Sequence, residues 1–533
     1  MQTVSQAWKN VHKQTLLNES FVEVSLDIAD PIASADASAT DNGAVYISNT
    51  SETVSEVDSP DRPYGTLEQN KWLLNGQRKS IPESDYLDSG YVGDVLSNEE
   101  GVFTKLPTIT INFTKFYTQI IPGITITWGT AYNEYAEKFI VTAYNNNTVV
   151  ARKDVFDNKS VTSVVSMDIV NYNRIEIQVL SWCLPNCRAR IDEIFLGLHK
   201  IYSKRDLMSF QHSQIVDPIS TSLPKMEIKF SIDNSDDSYN PYNLNGLAKY
   251  LTERQEVKTR YGLKLNDNTV EYIKGGSFYL SEWYAKQNGI TAEFVARDSL
   301  EFMSATYQDT EWNNEQRNLY NLADTILNSA GLPLNKDGTK KWILSNSLAS
   351  YNTLAPIPED TIANCLQLIA NAGRCTMFHD RDGILHIESV KDTVNDYEIN
   401  KFNSYSKSEI TLSKRIKRII TKYYSYTMGD NGIESSVSED VLDLGGDGET
   451  VVIDNPLITN RLDARGVGSV TSRYLKNRMT LKSTGRADVR LDALDIVSNE
   501  NDYGSNKVRM TNVTFDFNGA FRGTGEGRVI EDG

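Results

Sequence analysis

The chain has 533 residues, 39% hydrophobic and 23% charged, and no apolar run approaches the roughly 18 residues needed to cross a bilayer as a helix. That excludes an integral helical membrane protein, and a formal net charge of -17 opposes nonspecific nucleic-acid binding, which needs clustered Lys and Arg. The length suits about three to four domains, each large enough to bury its own core. Met1 to Lys9 carries neither the basic start nor the apolar core of a secretory signal, so synthesis in a cytoplasm is expected.

Residues 6–29 open with a short amphipathic segment and run into Phe21-Val22-Glu23-Val24-Ser25-Leu26-Asp27-Ile28, whose period-two alternation predicts a half-buried strand. Residues 30–63, rich in Ser, Asp, Ala and Thr, read as a linker with one short strand at Ala44–Ser48. From residue 64 to 200 the pattern becomes short, regularly spaced strands, at 108–113, 124–128, 137–144, 163–168, 174–179 and 190–197, with almost no helical periodicity. This predicts a β-sandwich.

Lys225 to Asp233 then resumes the alternation left at Asp27, and further strands are expected at 256–265, 276–283 and 290–298. The order implies one barrel, formed by residues 1–29 and 201–305, interrupted by an insertion. Residues 306–374 are the helical part. Leu319, Leu322, Ile326 and Ala330 share one helical face with Gly331 as a stop, and a second helix follows Pro358-Glu359-Asp360 with Ile362, Cys365, Leu366, Ile369 and Ala370 inward. Residues 375–533 make a second barrel and its closing segment, starting with two strands around Asp380-Arg381-Asp382-Gly383, a hairpin signal. The basic run Lys414 to Arg418 alternates with apolar residues as the wet face of a strand does.

Two resemblances are carried by particular residues. Residues 64–200, with Arg174–Val179 preceding a closing strand Arg190–Gly197, resemble the galactose-binding-like jelly rolls of the discoidin type. The opening Tyr64-Gly65-Thr66-Leu67-Glu68-Gln69-Asn70-Lys71-Trp72-Leu73-Leu74-Asn75-Gly76 is similar to a signature of such modules in phage tail proteins. The remainder resembles the baseplate hub or tail-associated proteins of tailed phages. The motifs are Asp454-Asn455-Pro456-Leu457-Ile458, Arg486 to Val497 and Val513 to Gly523. The fold implied is mainly β with small α parts: two hub-type β-barrels plus an inserted β-sandwich of jelly-roll form.

The hub resemblance implies a homotrimer at the distal tail tip of a virion, made in the host cytoplasm. It would contact distal tail, tape-measure and tail-tube proteins, and the module would face host cell-wall glycan. Three rival readings stay open. One is a distal tail adaptor carrying the same module, which should be hexameric. Another is a polysaccharide-degrading tail enzyme, and the last a bacterial surface adhesin.

The chemistry-bearing motifs of common enzymes, metal sites and nucleotide loops are missing, so no catalytic residue, metal or cofactor is assigned. Sugar binding needs an aromatic face for C–H groups and amide or carboxylate partners for hydroxyls. Trp128, Tyr132, Asn133, Glu134 and Tyr135 form the best such cluster, with Trp72 and Trp182 read as core. Cys183 and Cys187 flank Leu184-Pro185-Asn186, a spacing that suits a local disulfide first, two thiols second and half a metal site last. His379 and His386 flank the hairpin and read as cross-strand neighbours rather than ligands. Asp233 to Asn240 has closely spaced oxygen donors without the calcium-loop pattern.

Overall fold

The computed structural model describes all residues except 15–17, 46–47, 55–67, 69–89, 245, 286–288, 311, 314, 335–338, 391, 430–431 and 531–533. The fold is mainly β with small α parts, built around three hydrophobic cores. Much of the Tyr64–Gly76 signature, including Trp72, and Tyr46 and Ile47 of the short strand expected at Ala44–Ser48, lie outside the described residues.

The scaffold is one thirteen-stranded sheet. Its path runs through Gly197–Ser203, Ser20–Ala29, Glu256–Lys264, Val270–Ala285, Thr291–Arg297, Lys225–Asp233 and Leu207–Ile215, then Gly504–Phe517, Phe521–Ile530, Met479–Arg486 and Glu409–Leu412. Leu207–Ile215 joins the two halves. It pairs antiparallel with Lys225–Asp233 on one side and with Gly504–Phe517 on the other, so Phe210 stands opposite both Phe230 and Phe517. Side chains from both halves therefore share one core, in which Val24, Ile228 and Phe278 meet Val497, Val513 and Phe515.

The insertion leaves and returns through neighbouring strands. Ser20–Ala29 pairs antiparallel with Gly197–Ser203, and the last pair of that ladder is Ala29 opposite Gly197. A Cβ on Gly197 would sit 2.3 Å from the Ile28 carbonyl oxygen, so only glycine allows this close crossing. Beyond it stands a two-layer sandwich, with four strands from Tyr91–Leu96, Arg188–Phe195, Ile121–Trp128 and Thr162–Ile169, and five from Ser38–Asp41, Thr108–Tyr117, Tyr172–Trp182, Ala136–Asn145 and Thr148–Val155. Residues 30–54, expected as linker, instead supply the Pro31–Asp36 helix and the Ser38–Asp41 strand, and put Ala33 and Ala39 into the sandwich core.

The third core gathers the helices Leu319–Ser329 and Ile362–Ala372, the hairpin Thr376–His379 and Leu385–Glu388, and a three-stranded sheet of Gly432–Asp443, Ile416–Gly429 and Glu449–Ile453 backed by the helix Arg461–Lys476. The helices start where their caps dictate. Asn318, Thr361 and Asn460 each accept an N–H of the first turn, and Gly331 takes the left-handed conformation (φ 68°) just past the first helix.

Candidate functional site

The candidate sugar site sits at one end of the sandwich, where the strand Ile121–Trp128 gives way to a short 3-10 turn at Thr130–Tyr132. Asn133 closes that turn in the left-handed conformation (φ 54°), which asparagine tolerates better than most residues. Asp192 anchors the turn by accepting the Thr130 N–H at 2.7 Å and its hydroxyl at 2.6 Å.

The five residues separate. Trp128 has no accessible surface, donates its indole N–H to Ser163 at 2.7 Å, and packs edge-on to Phe139 and Trp182. It has no ring face for a sugar, because a strand-end tryptophan on an inward position is core. Glu134 is buried as well and accepts the Trp182 indole N–H at 2.9 Å. Tyr135 is half-buried and packs on the core edge, its N–H directed at the Cys183 sulfur. Asn133 is exposed, and Tyr132, like Tyr135, is half-buried.

Beneath them lies a polar cluster that composition alone does not reveal. Arg190 is buried, ion-pairs with Glu68 through two nitrogens, one at 2.9 Å, and lies 4.9 Å from the Tyr132 ring centroid. Glu68 also accepts the Arg188 N–H at 2.7 Å, tying the opening stretch of the module to its closing strand. Arg190 stands 3.9 Å from Glu134, so one guanidinium serves two carboxylates in low dielectric. The arrangement is suited to holding a loop rim in place beside an aromatic and an amide group. An acid–base pair in the hydrolytic sense would need carboxylates open to a bound substrate, and these two are turned inward.

The other sequence-level candidates find structural partners. Cys183 and Cys187 are thiols, Cys187 being buried. His386 stacks on Phe378 with 4.8 Å between centroids and lies 2.9 Å from both Asp380 and Glu388, whereas His379 turns into the interior toward Ser299. Among the described residues no group of His, Cys, Asp and Glu is arranged to hold a metal ion. In the loop after Asp233, Ser235 donates to Asp233, Ser238 to Asp236, and the Tyr239 N–H to Asn234. At the basic run, Lys414 pairs with Glu449 and Arg418 with Asp443.

The closing motif is a bonded hub inside the scaffold. Arg486 donates to the His12 and Gln14 carbonyls, Asp488 holds Arg490 at 2.9 Å, and Asp492 holds Arg381 at 2.6 Å. Arg381 also reaches the Lys274 and Leu491 carbonyls, linking the hairpin to both halves of the sheet. Close by, fully buried His212 lies 2.7 Å from the Tyr261 hydroxyl, and burial with the nearby Arg381 charge pushes its imidazole down to about 3. Sequence reading passed over His212 and Arg381. Arg381 is the second residue of the Asp-Arg-Asp-Gly turn, where a charged side chain reads as solvent-exposed.

No family model matches the sequence, and no curated protein sequence matches it. Among solved structures, the chain is similar to the 43 kDa tail protein of prophage MuSo2 from Shewanella oneidensis, at 12% identity and TM-score 0.42 over 62% of this chain and 94% of that one. It is similar to the tail protein from Neisseria meningitidis MC58 at 11% identity and TM-score 0.41, over 62% and 94%. The family 32 CBM of C. perfringens NanJ, solved in complex with galactose, matches at 14% identity and TM-score 0.19 over 33% of this chain and 99% of that one.

Proposed function

We propose that this chain is a structural virion protein, a tail-tip hub that closes the distal tail tube as a homotrimer and carries the sandwich outward toward carbohydrate on the host surface. The observation that carries the reading is the continuous sheet through both halves of the scaffold, together with an insertion that enters and leaves by one adjacent strand pair. A rigid two-part ring unit with a pendent module is what such a joint requires. The motifs at 486–497 and 513–523 support it, since both fall on the elements that bind the halves together, while Asn455 of the motif at 454–458 ties its segment to the helix Ile362–Ala372.

In this reading distal tail, tape-measure and tail-tube proteins contact the ring, and Tyr132 and Asn133 form the contact edge of the module over the Arg190 base. Native mass spectrometry of the full chain near assembly concentration tests the hub: a trimer is expected, a hexamer would favour the adaptor reading, and a persistent monomer would overturn the hub. A glycan array on the same protein, with Tyr132→Ala as comparison, tests the module. Turnover of cell-wall polysaccharide in that assay would move the protein to the enzymes.

A further inference from the structure

The hairpin of Thr376–His379 and Leu385–Glu388 belongs to the third core, but its turn reaches into the scaffold. Arg381, buried at the tip, donates to Asp492 at 2.6 Å and to the Lys274 and Leu491 carbonyls at 2.8 and 3.1 Å. Lys274 comes from the strand Val270–Ala285, whereas Leu491 and Asp492 come from the closing motif, so this one guanidinium spans the seam. Whatever shapes the turn therefore decides whether Arg381 arrives there.

Asp380 shapes it. One of its carboxylate oxygens accepts the Asp382 N–H at 2.9 Å and the Ile384 N–H at 3.0 Å, and its carbonyl accepts the Gly383 N–H at 3.2 Å. The other carboxylate oxygen lies 2.9 Å from Nε2 of His386. On the far side of the same ring, Nδ1 lies 2.9 Å from Glu388. Phe378, the cross-strand partner of His386, stacks on the ring with 4.8 Å between centroids and fixes its plane.

A neutral imidazole has one N–H and one lone pair. Between two carboxylates it can donate to one of them only, and it turns its lone pair on the other. The imidazolium donates to both, so the geometry selects the charged ring. Burial opposes that charge, but the bonds to Asp380 and Glu388 outweigh it and raise His386 above its ordinary value. The neighbouring elements bring no competing cation. His379 on the paired strand turns toward Ser299, with burial pushing its imidazole down, and Ile343 is the partner of His386 on the third strand.

We propose that His386 is a proton-operated clamp on the joint between the hairpin and the scaffold. Protonated, it holds Asp380 and with it the turn that delivers Arg381 to the seam. When the proton passes to solvent, Asp380 and Glu388 face each other across a ring that can satisfy only one of them, the turn opens and Arg381 withdraws. The folded value lies above the ordinary one near 6.5. The clamp is therefore complete below that ordinary value and is lost as pH rises through the raised one. It involves neither the inserted module nor any contact between copies.

The test uses the full chain at stepped pH. Slow exchange of the ring C2–H, read by mass spectrometry, gives the midpoint of His386, and backbone amide exchange, corrected for its intrinsic pH dependence, gives the protection of residues 376–388. The His386 midpoint is expected above 6.5, with hairpin exchange accelerating about tenfold as pH passes it. Glu388→Gln should move the ring midpoint and the hairpin step down together, and His386→Gln should abolish the step. A midpoint at or below the ordinary value overturns the clamp. So does hairpin protection that fails to follow the ring midpoint in the wild type and Glu388→Gln, a comparison that holds even if His386→Gln does not fold.

Discussion

The inserted sandwich and the scaffold bury similar apolar side chains, but they are assembled in opposite ways. Every strand of the sandwich comes from residues 38–195, and its core draws on residues 33–196. The scaffold brings Trp8 and Val22 against Val489 and Phe515, across nearly the whole chain. One region is therefore a local unit that folds from what lies beside it, and the other waits for its last residues. Long-range closure costs loop entropy before it returns contacts, so the scaffold depends on a few dense polar joints to define its register.

The sharpest way to break that contrast is to open one of those joints. Burial pushes the Asp488 carboxyl up, but its bonds to Arg490 and the nearby His12 outweigh this and hold it below the usual carboxylate range. Asp488→Ala leaves a buried guanidinium unpaired and should cost about 3–5 kcal/mol, seen as a lower urea midpoint for the scaffold transition with the sandwich transition unmoved. Trp128→Ala should do the reverse at about 3–5 kcal/mol, lowering the sandwich transition alone. A shared loss in either variant would mean that the two regions fold as one.

Two histidines sharpen the contrast with opposite signs. His212 is held neutral in the scaffold, with a folded value below the ordinary one near 6.5. Its stability is complete above that ordinary value and is lost as pH falls toward 3, at about 1.4 kcal/mol per pH unit. Urea unfolding at stepped pH should show this slope in the wild type and lose it in His212→Gln. At the neck, the hydrogen bond that His199 donates to the Asp27 carboxylate at 2.5 Å raises His199 against the opposing effect of burial. That contribution is present below the ordinary histidine range and fades as pH rises through the raised value. Because His199 is partly exposed, Asp27→Asn should cost only about 1 kcal/mol, read as faster proteolysis near Ala29 and Gly197 at pH 6 than in the wild type. Equal cleavage of the two proteins would show that the pair does not hold the neck.

Elements with clean periodicity were legible from residues alone. The helix faces of Leu322 and Ile326, and of Cys365 and Ile369, lie inward as expected, and the hairpin turns at Gly383 with φ 75°. The strand Leu207–Ile215 was not legible, for a physical reason. Its inward positions include the polar His212 and Gln214 while Met208 and Ile215 face out, so its pattern is inverted. The edge strand Thr148–Val155 was missed because most of it is exposed and shows no alternation. In the candidate site, aromatic residues near a strand end drew attention to this loop, but proximity in sequence cannot separate Trp128, which is fully buried, from Tyr132, which is only half-buried. Arg190 and Glu68 meet only through the fold, so no local signal could have joined them.

The Ala29–Gly197 crossing has a consequence for what this scaffold can carry. Two strand ends held side by side make the attachment a socket, and the rest of the sheet senses only the spacing of those ends. Loop-closure entropy grows slowly with length, so a module of well over a hundred residues and a tight turn place similar demands on the same two positions. The scaffold could therefore exchange the inserted module without redrawing its own sheet, provided the newcomer begins and finishes at neighbouring points of its own surface.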